Sequence, residues 1–413
     1  MSNTSWKRTR IKYLSHIEMG QSPPSYLYSL NPEAGLPFLQ GCASFGETNP
    51  LPSEYCSAPN KTALSGDLLM SVRAPVGSLN FADQDYGIGR GLCAIRPRNV
   101  QSRFLWWALH HHRESLSLVS TGSTYEAVSA EDVGNIFINH PLYSEQKVIA
   151  EYLDSETGRI DALIATKERL LGLLAEKRRA LITRAVTRGI NPNAPLHDSG
   201  LPWLGQIPKH WEVKRLKYIA TINDEALPEN TPSDYEMQYV DISNVDSYGN
   251  IHEIAIYRFD DAPSRARRIV RNGDVIISTV RTYLQAIAPI ENPLDNLIVS
   301  TGFAVIRPKS DIFYKGFCKF ALRESNFLAE VEKRSVGVSY PAINASDLGD
   351  IFIHCPPLKE QYKIADYIEN EMSKLDKLRE AADKTISLLK ERLAALISAA
   401  VTGKLKINNR SVL

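Results

Sequence analysis

Two long stretches of the chain, residues 144–188 and 359–403, contain no proline and are dominated by Ala, Leu, Glu, Lys and Arg, residues with strong helix preference. Within the first, Ile149, Leu153, Glu156, Ile160, Leu163, Lys167, Leu170, Leu174, Lys177 and Leu181 recur at alternating steps of four and three. That is the heptad spacing of a coiled-coil seam. The same register in the second gives Ile364, Ile368, Glu371, Leu375, Leu378, Ala382, Thr385, Leu389, Arg392 and Leu396. Each stretch predicts a helix of 45 residues, about 67 Å long at about 1.5 Å per residue. Asp154-Ser-Glu-Thr-Gly158 is locally poor helix sequence and admits a kink. A narrow apolar stripe between heavily charged faces points to two helices that bury each other's seams.

Outside these stretches the apolar runs are short, such as Leu68-Leu-Met-Ser-Val72 and Val275-Ile-Ile-Ser-Thr-Val280, and are cut by Gly, Pro and Asn. This texture predicts short strands and turns in an α+β domain. The two textures alternate because the chain repeats itself. Pro141 to Asp154 recurs as Pro356 to Glu369, and Ala180 to Thr187 as Ala395 to Thr402, both 215 residues later. Gly122 to Phe137 meets Gly337 to Phe352 at the same offset, Phe104 to Leu109 meets Phe317 to Leu322 at 213, and Ile95-Arg-Pro meets Ile306-Arg-Pro at 211. Gly66-Asp67 meets Gly273-Asp274 at 207, and Trp6 to Ser15 meets Trp211 to Ala220 at 205. The offset only grows along the chain, as it does in a duplicated module whose second copy carries short insertions.

Composition adds exclusions. With 413 residues, 43% hydrophobic and 23% charged, the chain has room for two or three ordinary globular domains. A formal charge of +1 gives no whole-molecule field for nucleic acid, so any such binding must come from local patches. The two irregular regions are not basic either, holding 11 basic against 11 acidic residues up to position 140 and 17 against 21 between 191 and 355. Local clusters do stand out: Lys7, Arg8, Arg10 and Lys12, then Arg265, Arg267, Arg268 and Arg271, followed by Arg281. The five cysteines (Cys42, Cys56, Cys93, Cys318, Cys355) form no C-x-x-C pair, which predicts reduced thiols in a cytoplasmic protein. No apolar run approaches the length of a membrane span.

Catalytic constellations are missing. There is no G-x-x-x-x-G-K-[ST] loop, and Gly87-Ile-Gly89-Arg-Gly91 lacks the tail of a dinucleotide-binding turn. Neither Ser22-Pro-Pro-Ser25 nor Cys355-Pro-Pro-Leu358 has the amide and aromatic of an amino-methyltransferase motif. Consecutive His110, His111 and His112 point about 100° apart on a helix and do not converge on one metal ion. Glu145-Gln-Lys147 fits half a nuclease motif, but its repeat is Glu360-Gln-Tyr362, so no catalytic role is expected there.

Three features resemble one family, the DNA specificity subunit of type I restriction-modification systems (the HsdS family). Ser199 to Tyr218, containing Gly205-Gln-Ile-Pro-Lys-His-Trp211, looks like the start of that family's second target recognition domain. The pattern Pro-x-x-x-Glu-Gln-x-x-Ile-Ala-x-Tyr-[LI], present at Pro141 to Leu153 and Pro356 to Ile368, is similar to its domain-to-helix junction. Ala-Leu-Ile-x-x-Ala-Val-Thr at both helix ends resembles its helical tail. The first module lacks the Gly-x-Ile-Pro-x-x-Trp preamble, and Arg188-Gly189 is replaced by Gly403-Lys404.

The resemblance implies an α+β chain with two tandem α/β target recognition domains separated by two long antiparallel coiled-coil helices, pseudo-two-fold symmetric. The expected boundaries are recognition domain 1 at 1–143, the first spacer helix at 144–190, recognition domain 2 at 191–356, and the second spacer helix with its tail at 357–413. It also implies a non-catalytic reader of bipartite double-stranded DNA. Two modification (methyltransferase) subunits and two restriction subunits would be partners, with no membrane. No cofactor is expected in this chain; S-adenosylmethionine, ATP and Mg would sit on partners. Direct readout needs polar or charged side chains on rigid loops. That nominates Arg73, Arg90 and the loop carrying Ser123, Thr124 and Tyr125 in the first module. In the second it nominates Arg281 with Ser339 and Tyr340, and Arg265, Arg267 and Arg268 as phosphate contacts. The rival reading is a stand-alone coiled-coil DNA-binding regulator, which would bind DNA tightly by itself.

Overall fold

In a computed structural model, which describes residues 6–119 and 127–407, the chain divides into two compact units. One is Met1–Glu168 with Asp383–Leu413, the other Arg169–Ala382. The long helices run over Tyr143–Arg188 and Leu358–Val401, so the division cuts each near its middle. Each unit therefore holds one recognition domain, the first half of the helix that leaves it, and the last half of the other helix. The first helix passes through Asp154–Gly158 without a break, where Thr157 Oγ1 donates to the Leu153 carbonyl at 2.7 Å.

The duplication seen in sequence reappears in strand order. The first unit has an antiparallel sheet in the order Ser15–Met19, Leu92–Pro97, Leu68–Ser71, Leu79–Phe81. The second has Ala220–Ile222, Phe303–Pro308, Val275–Ser278, Ile287–Pro289 in the same relation. A second sheet in each unit contains one parallel pair, Leu36–Leu39 with Tyr86–Ile88 and Glu236–Val240 with Leu297–Ser300. The domain closes by joining its two ends: Lys7–Arg10 pairs with Phe137–His140, and Glu212–Arg215 with Phe352–Cys355.

Buried polar pairs explain why particular residues recur. The repeated Gly-Asp and Ile-Arg-Pro motifs meet across adjacent strands. Arg96 donates to both oxygens of Asp67 at 2.9 and 2.8 Å, and Arg307 to both oxygens of Asp274 at the same distances. Both carboxylates are only 2% exposed, and these hydrogen bonds raise the pKa of each arginine. The Glu-Gln of the junction motif also finds a job. Buried Gln361 donates to the Ile312 and Pro356 carbonyls, both at 2.8 Å, and accepts from Tyr314 N at 2.7 Å. Gln146 donates to the Pro141 carbonyl at 3.0 Å and accepts from Gln101 N at 2.8 Å. Two turns further on, Asp154 accepts from Arg103 Nε and Trp107 Nε1, and its equivalent Glu369 accepts from Lys319.

The helices pair antiparallel inside each unit. Ile149, Ala150 and Leu153 share a core with Ile397, Ala400 and Val401 in the first, and Leu174, Ile182, Ala185 and Val186 share one with Ile364, Ile368, Met372 and Leu375 in the second. The expected seam needs correction in one of its two heptad positions. Leu163 is 50% exposed, Leu170 36% and Leu378 55%. The buried stripe runs instead through Ala150, Thr157, Ile160, Leu174, Ala185, Ile368, Met372, Leu375, Ala382, Ile386 and Ala400, with Leu171, Leu389 and Leu393 half-buried. Of the remaining seam residues, Leu181 and Leu396 are half-buried. Moving one of the two positions by a residue turns the stripe by about 50° and exchanges Glu371, Thr385 and Arg392 for Met372, Ile386 and Leu393, which bury more apolar surface.

The glycine exchange at the helix ends also resolves. Gly189 and Gly403 both take a left-handed conformation, with φ of 72° and 78°. Each lies where a Cβ would meet a tryptophan, Trp211 in the second unit and Trp6 in the first. The same C-terminal stop, displaced by one residue, thus seats each helix end on the tryptophan that opens the recognition domain. Glu360 completes the second seat by accepting from Trp211 Nε1 at 3.1 Å and His210 Nε2 at 2.7 Å.

Two expectations follow. Replacing Asp274 or Asp67 with Asn keeps the volume but leaves an arginine facing a neutral amide, and should cost on the order of 3 kcal/mol in denaturant unfolding of the unit concerned. An unchanged midpoint would show that the pair contributes nothing. The second concerns His354, which is 2% exposed, packs against Trp211 and is lowered by burial from 6.5 to about 4. Its folded form stays neutral, so its stabilising contribution is complete above pH 6.5 and is lost as pH falls through about 4. The full effect is about 3 kcal/mol. His354→Leu should flatten the stability profile across that window, as read by urea unfolding at several pH values.

Candidate nucleic-acid interface

The nominated arginines collect where strands end. In the first unit the strand Leu68–Ser71 leads into Val72, whose N–H donates to the Gly91 carbonyl at 2.9 Å. Arg73 follows and pairs its backbone with Ala127, while Arg90 sits in the adjoining turn between Gly89 and Gly91. Both side chains are exposed at this one end of the sheets. Ser123, Thr124 and Tyr125 lie outside the described residues.

The second unit repeats the construction. Thr279 N donates to the Gly302 carbonyl at 2.8 Å, Thr301 N donates to the Arg265 carbonyl at 2.8 Å, and Arg281 N donates to the Pro341 carbonyl at 2.8 Å. Arg265, Arg281, Ser339 and Tyr340 are therefore brought to the corresponding end of the second unit's sheets, all exposed. Arg267 and Arg268 are only half-exposed. The Arg267 guanidinium lies 4.6 Å over the Phe259 ring and donates to the Ala266 carbonyl, and Arg268 has its Nε enclosed. These two, expected as phosphate contacts, are thus partly engaged within their own unit.

Charge neutralisation separates the candidates further. Arg215 pairs with Asp350, Arg271 with Glu225, Arg307 with Asp274 and Arg334 with Glu330. Among the described residues, Arg73, Arg90, Arg265 and Arg281 have no carboxylate within ion-pair distance, so their charge faces solvent. In the basic run at the start of the chain, Arg8 and Arg10 lie 4.5 and 5.0 Å from the Phe137 ring centre, and Lys12 donates to Asn135. Sequence reasoning missed Tyr283, exposed by 55% beside Arg281, while Val338, exposed by 102%, lies in the loop nominated for Ser339 and Tyr340. Apolar residues in short irregular loops carry no periodicity that would mark them as surface.

Among the described residues no group of three His, Cys, Asp or Glu side chains could hold a metal ion, and no helix is long and apolar enough to cross a membrane. In the second unit a hairpin also straps the long helices. In the hairpin Asp246–Asn250, burial of Asp246 is outweighed by hydrogen bonds from His252, Asn250 and Tyr248 that hold its carboxyl at about 2. The hairpin presents Tyr248 beneath Arg178 and Arg379 of the long helices, 5.4 and 5.0 Å from the ring centre.

Two copies of one module, each with unneutralised arginines at the same sheet end and a shared helical support, make a nucleic-acid reading scaffold. The type I restriction modification DNA specificity domain matches residues 3–171 and 208–386, and the chain belongs to this family. Over 160 residues it is 39% identical to the putative type I restriction enzyme MjaX specificity subunit of Methanocaldococcus jannaschii, a match covering 38% of this chain and 36% of that protein. Over 418 residues it is 22% identical to the type I restriction enzyme EcoDI specificity subunit of Escherichia coli, covering 97% of this chain and 88% of the relative. Its fold is like that of the HsdS subunit from Thermoanaerobacter tengcongensis, with a TM-score of 0.54 at 20% identity over 97% of both chains. A chain solved for the complex assembly and conformational transition of the type I R-M system gives a TM-score of 0.74 at 20% identity, over 97% of this chain and 98% of that one. The chain is a DNA specificity subunit, a recognition component and not a catalytic one.

The arginine assignments separate by experiment. Arg265→Ala should lower the slope of log affinity against log salt by about 0.9, the effect of one lost phosphate contact, without altering the unfolding midpoint. Arg267→Ala should do the reverse, losing the contact with Phe259 while leaving the salt slope in place. Equal effects of both on the slope would return Arg267 to the DNA surface.

Proposed function

We propose that each recognition domain reads one half of a bipartite double-stranded DNA target, that the long helices set the interval between the halves, and that two modification subunits dock on the helical parts. Two restriction subunits complete the assembly. S-adenosylmethionine belongs to the modification subunits, ATP and Mg to the restriction subunits, and none of the three to this chain. The assembly works in the cytoplasm, where its DNA is. The observation that carries this reading is the duplication itself: exposed arginines without a carboxylate among the described residues stand at the same sheet end in both modules, Arg73 at the bridge to Ala127 and Arg281 one residue beyond the equivalent bridge of Val280 to Ala342. Two equal readers suit two half-sites, as in dimeric DNA-binding proteins whose half-site spacing follows protein geometry.

The reading favours a complex over a stand-alone regulator on charge. Recognition domains with no net positive charge provide too few phosphate contacts for tight binding alone, so partner subunits must supply the rest. Within each domain the loops differ, Ser-Thr before Tyr125 against Val-Ser before Tyr340, which supports two different half-site sequences.

Methylome sequencing of a host carrying the gene with its modification subunit should show a split motif that disappears on deletion of the gene. Four residues inserted after Glu168 and four after Ala382 leave the packed core of each unit intact and lengthen both helices by about 6 Å, with a net turn of about 40°. That is close to two base pairs at about 3.4 Å each. The methylated motif should keep both half-sites and gain a spacer wider by about two base pairs. The original spacer at undiminished efficiency would show that the helices do not set the interval.

A further inference from the structure

Beyond the strand Val275–Ser278 the backbone enters the left-handed region twice without glycine, at Arg281 with φ of 54° and at Gln285 with φ of 50°. They bracket the tight turn Thr282–Leu284. Such conformations persist in L residues only when the surroundings over-determine them. Here they are over-determined. Arg281 N donates to Pro341, Leu284 N donates back to Arg281, and buried Thr282 shares a hydrogen bond with Ser335 at 3.0 Å. The facing hairpin is closed by reciprocal bonds between Val336 and Ala342 at 2.9 and 3.0 Å.

What this rigid pair of loops displays is costly in water. Tyr283, Val338 and Tyr340 are 55%, 102% and 62% exposed, and the Arg281 guanidinium lies 4.9 Å over the Tyr340 ring. Among the described residues the side-chain donors of Arg281 meet no acceptor. A solvated surface turn needs neither the strain nor the apolar display. A phosphate contact needs only a charge on a mobile side chain and gains nothing from apolar neighbours. The edge of a base pair in the major groove asks for both: guanine offers O6 and N7 to a planar two-pronged donor, and thymine offers a methyl group. Stacking on an aromatic ring holds the guanidinium plane in place while leaving its edge free to donate.

We propose that Arg281 is the side chain that reads a guanine in the second module's half-site, that Tyr340 is the positioning residue that holds its guanidinium, and that Val338 supplies the apolar contact for a neighbouring thymine methyl. The proposal rests on the half-site reading above. It goes further by naming one base, one donor and the residue that orients it.

The test uses the full chain assembled with its modification subunits, with methylome sequencing as readout and salt-dependent binding to target duplexes as control. Arg281→Ala should reduce the preference for guanine at one position of the second half-site by between about tenfold and a hundredfold and leave the first half-site unchanged. Arg281→Lys should also relax that position, because an ammonium has no fork. Tyr340→Ala should relax the same position, and Tyr340→Phe should retain it. Val338→Ser, at a fully exposed position that does not endanger folding, should weaken preference at an adjacent thymine. Uniform weakening across all sequences by Arg281→Ala, with a salt slope smaller by about one, would make Arg281 a phosphate contact and overturn the proposal. An unchanged motif in Arg281→Ala and Val338→Ser would overturn it too. If the unsubstituted complex produced no split motif, the half-site reading itself would fall, and the proposal with it.

Discussion

A buried carboxamide governs how each recognition domain meets its helix. Gln146 and Gln361 are 1% and 0% exposed, and each bonds both to the proline carbonyl at the helix start and to a backbone N–H of the domain. Leaving such a group unsatisfied in the interior costs more than the bond itself contributes. The first turn of the helix is therefore held to the body of the domain in a single orientation. Asp154 and Glu369, two turns on, hold the same face from a second point.

The other end of each helix is held differently. Gly189 and Gly403 let the chain turn in the left-handed region directly against Trp211 and Trp6, where a Cβ would fall 3.2 Å from the first indole and 2.8 Å from the second. Polar clamps at helix starts and close-packed glycines at helix ends give each unit one outgoing and one incoming helix half. The strap of the second unit, with Tyr248 under Arg178 and Arg379, adds a further hold. In the first unit the equivalent hairpin packs on the strand Leu79–Phe81, through Phe81 N to Thr48 O and Asn80 Nδ2 to Gly46 O.

The reading surface follows the opposite rule. Where the domain meets its helices Gln146, Gln361, Asp154 and Glu369 are satisfied, but at the sheet ends that carry Arg73, Arg90, Arg265 and Arg281 the charges meet no carboxylate among the described residues. The same residue type thus does two jobs in one domain. Arg307, held in a fork by Asp274, secures the sheet, and Arg281, stacked on Tyr340 with its donors free, is left available to a ligand. Opposed carboxylates decide which is which, and they come from strands far apart in the chain.

The sequence alone determined the duplication, the two long helices, the α+β character of the modules and the family, because these depend on local composition and on collinear repeats that survive without knowledge of contacts. It also nominated Arg73, Arg90, Arg281 and Tyr340 as candidates. Only the tertiary structure decided which arginines are neutralised. Arg267 against Phe259 and Arg307 against Asp274 are indistinguishable from Arg281 until strands distant in sequence are set side by side. The true seam lay in between: Met372, Ile386 and Leu393 were visible as an apolar series one residue from the expected one, but two stripes on one helix compete. The choice fell to the face that each recognition domain and partner helix half could bury, which is a property of packing and not of spacing.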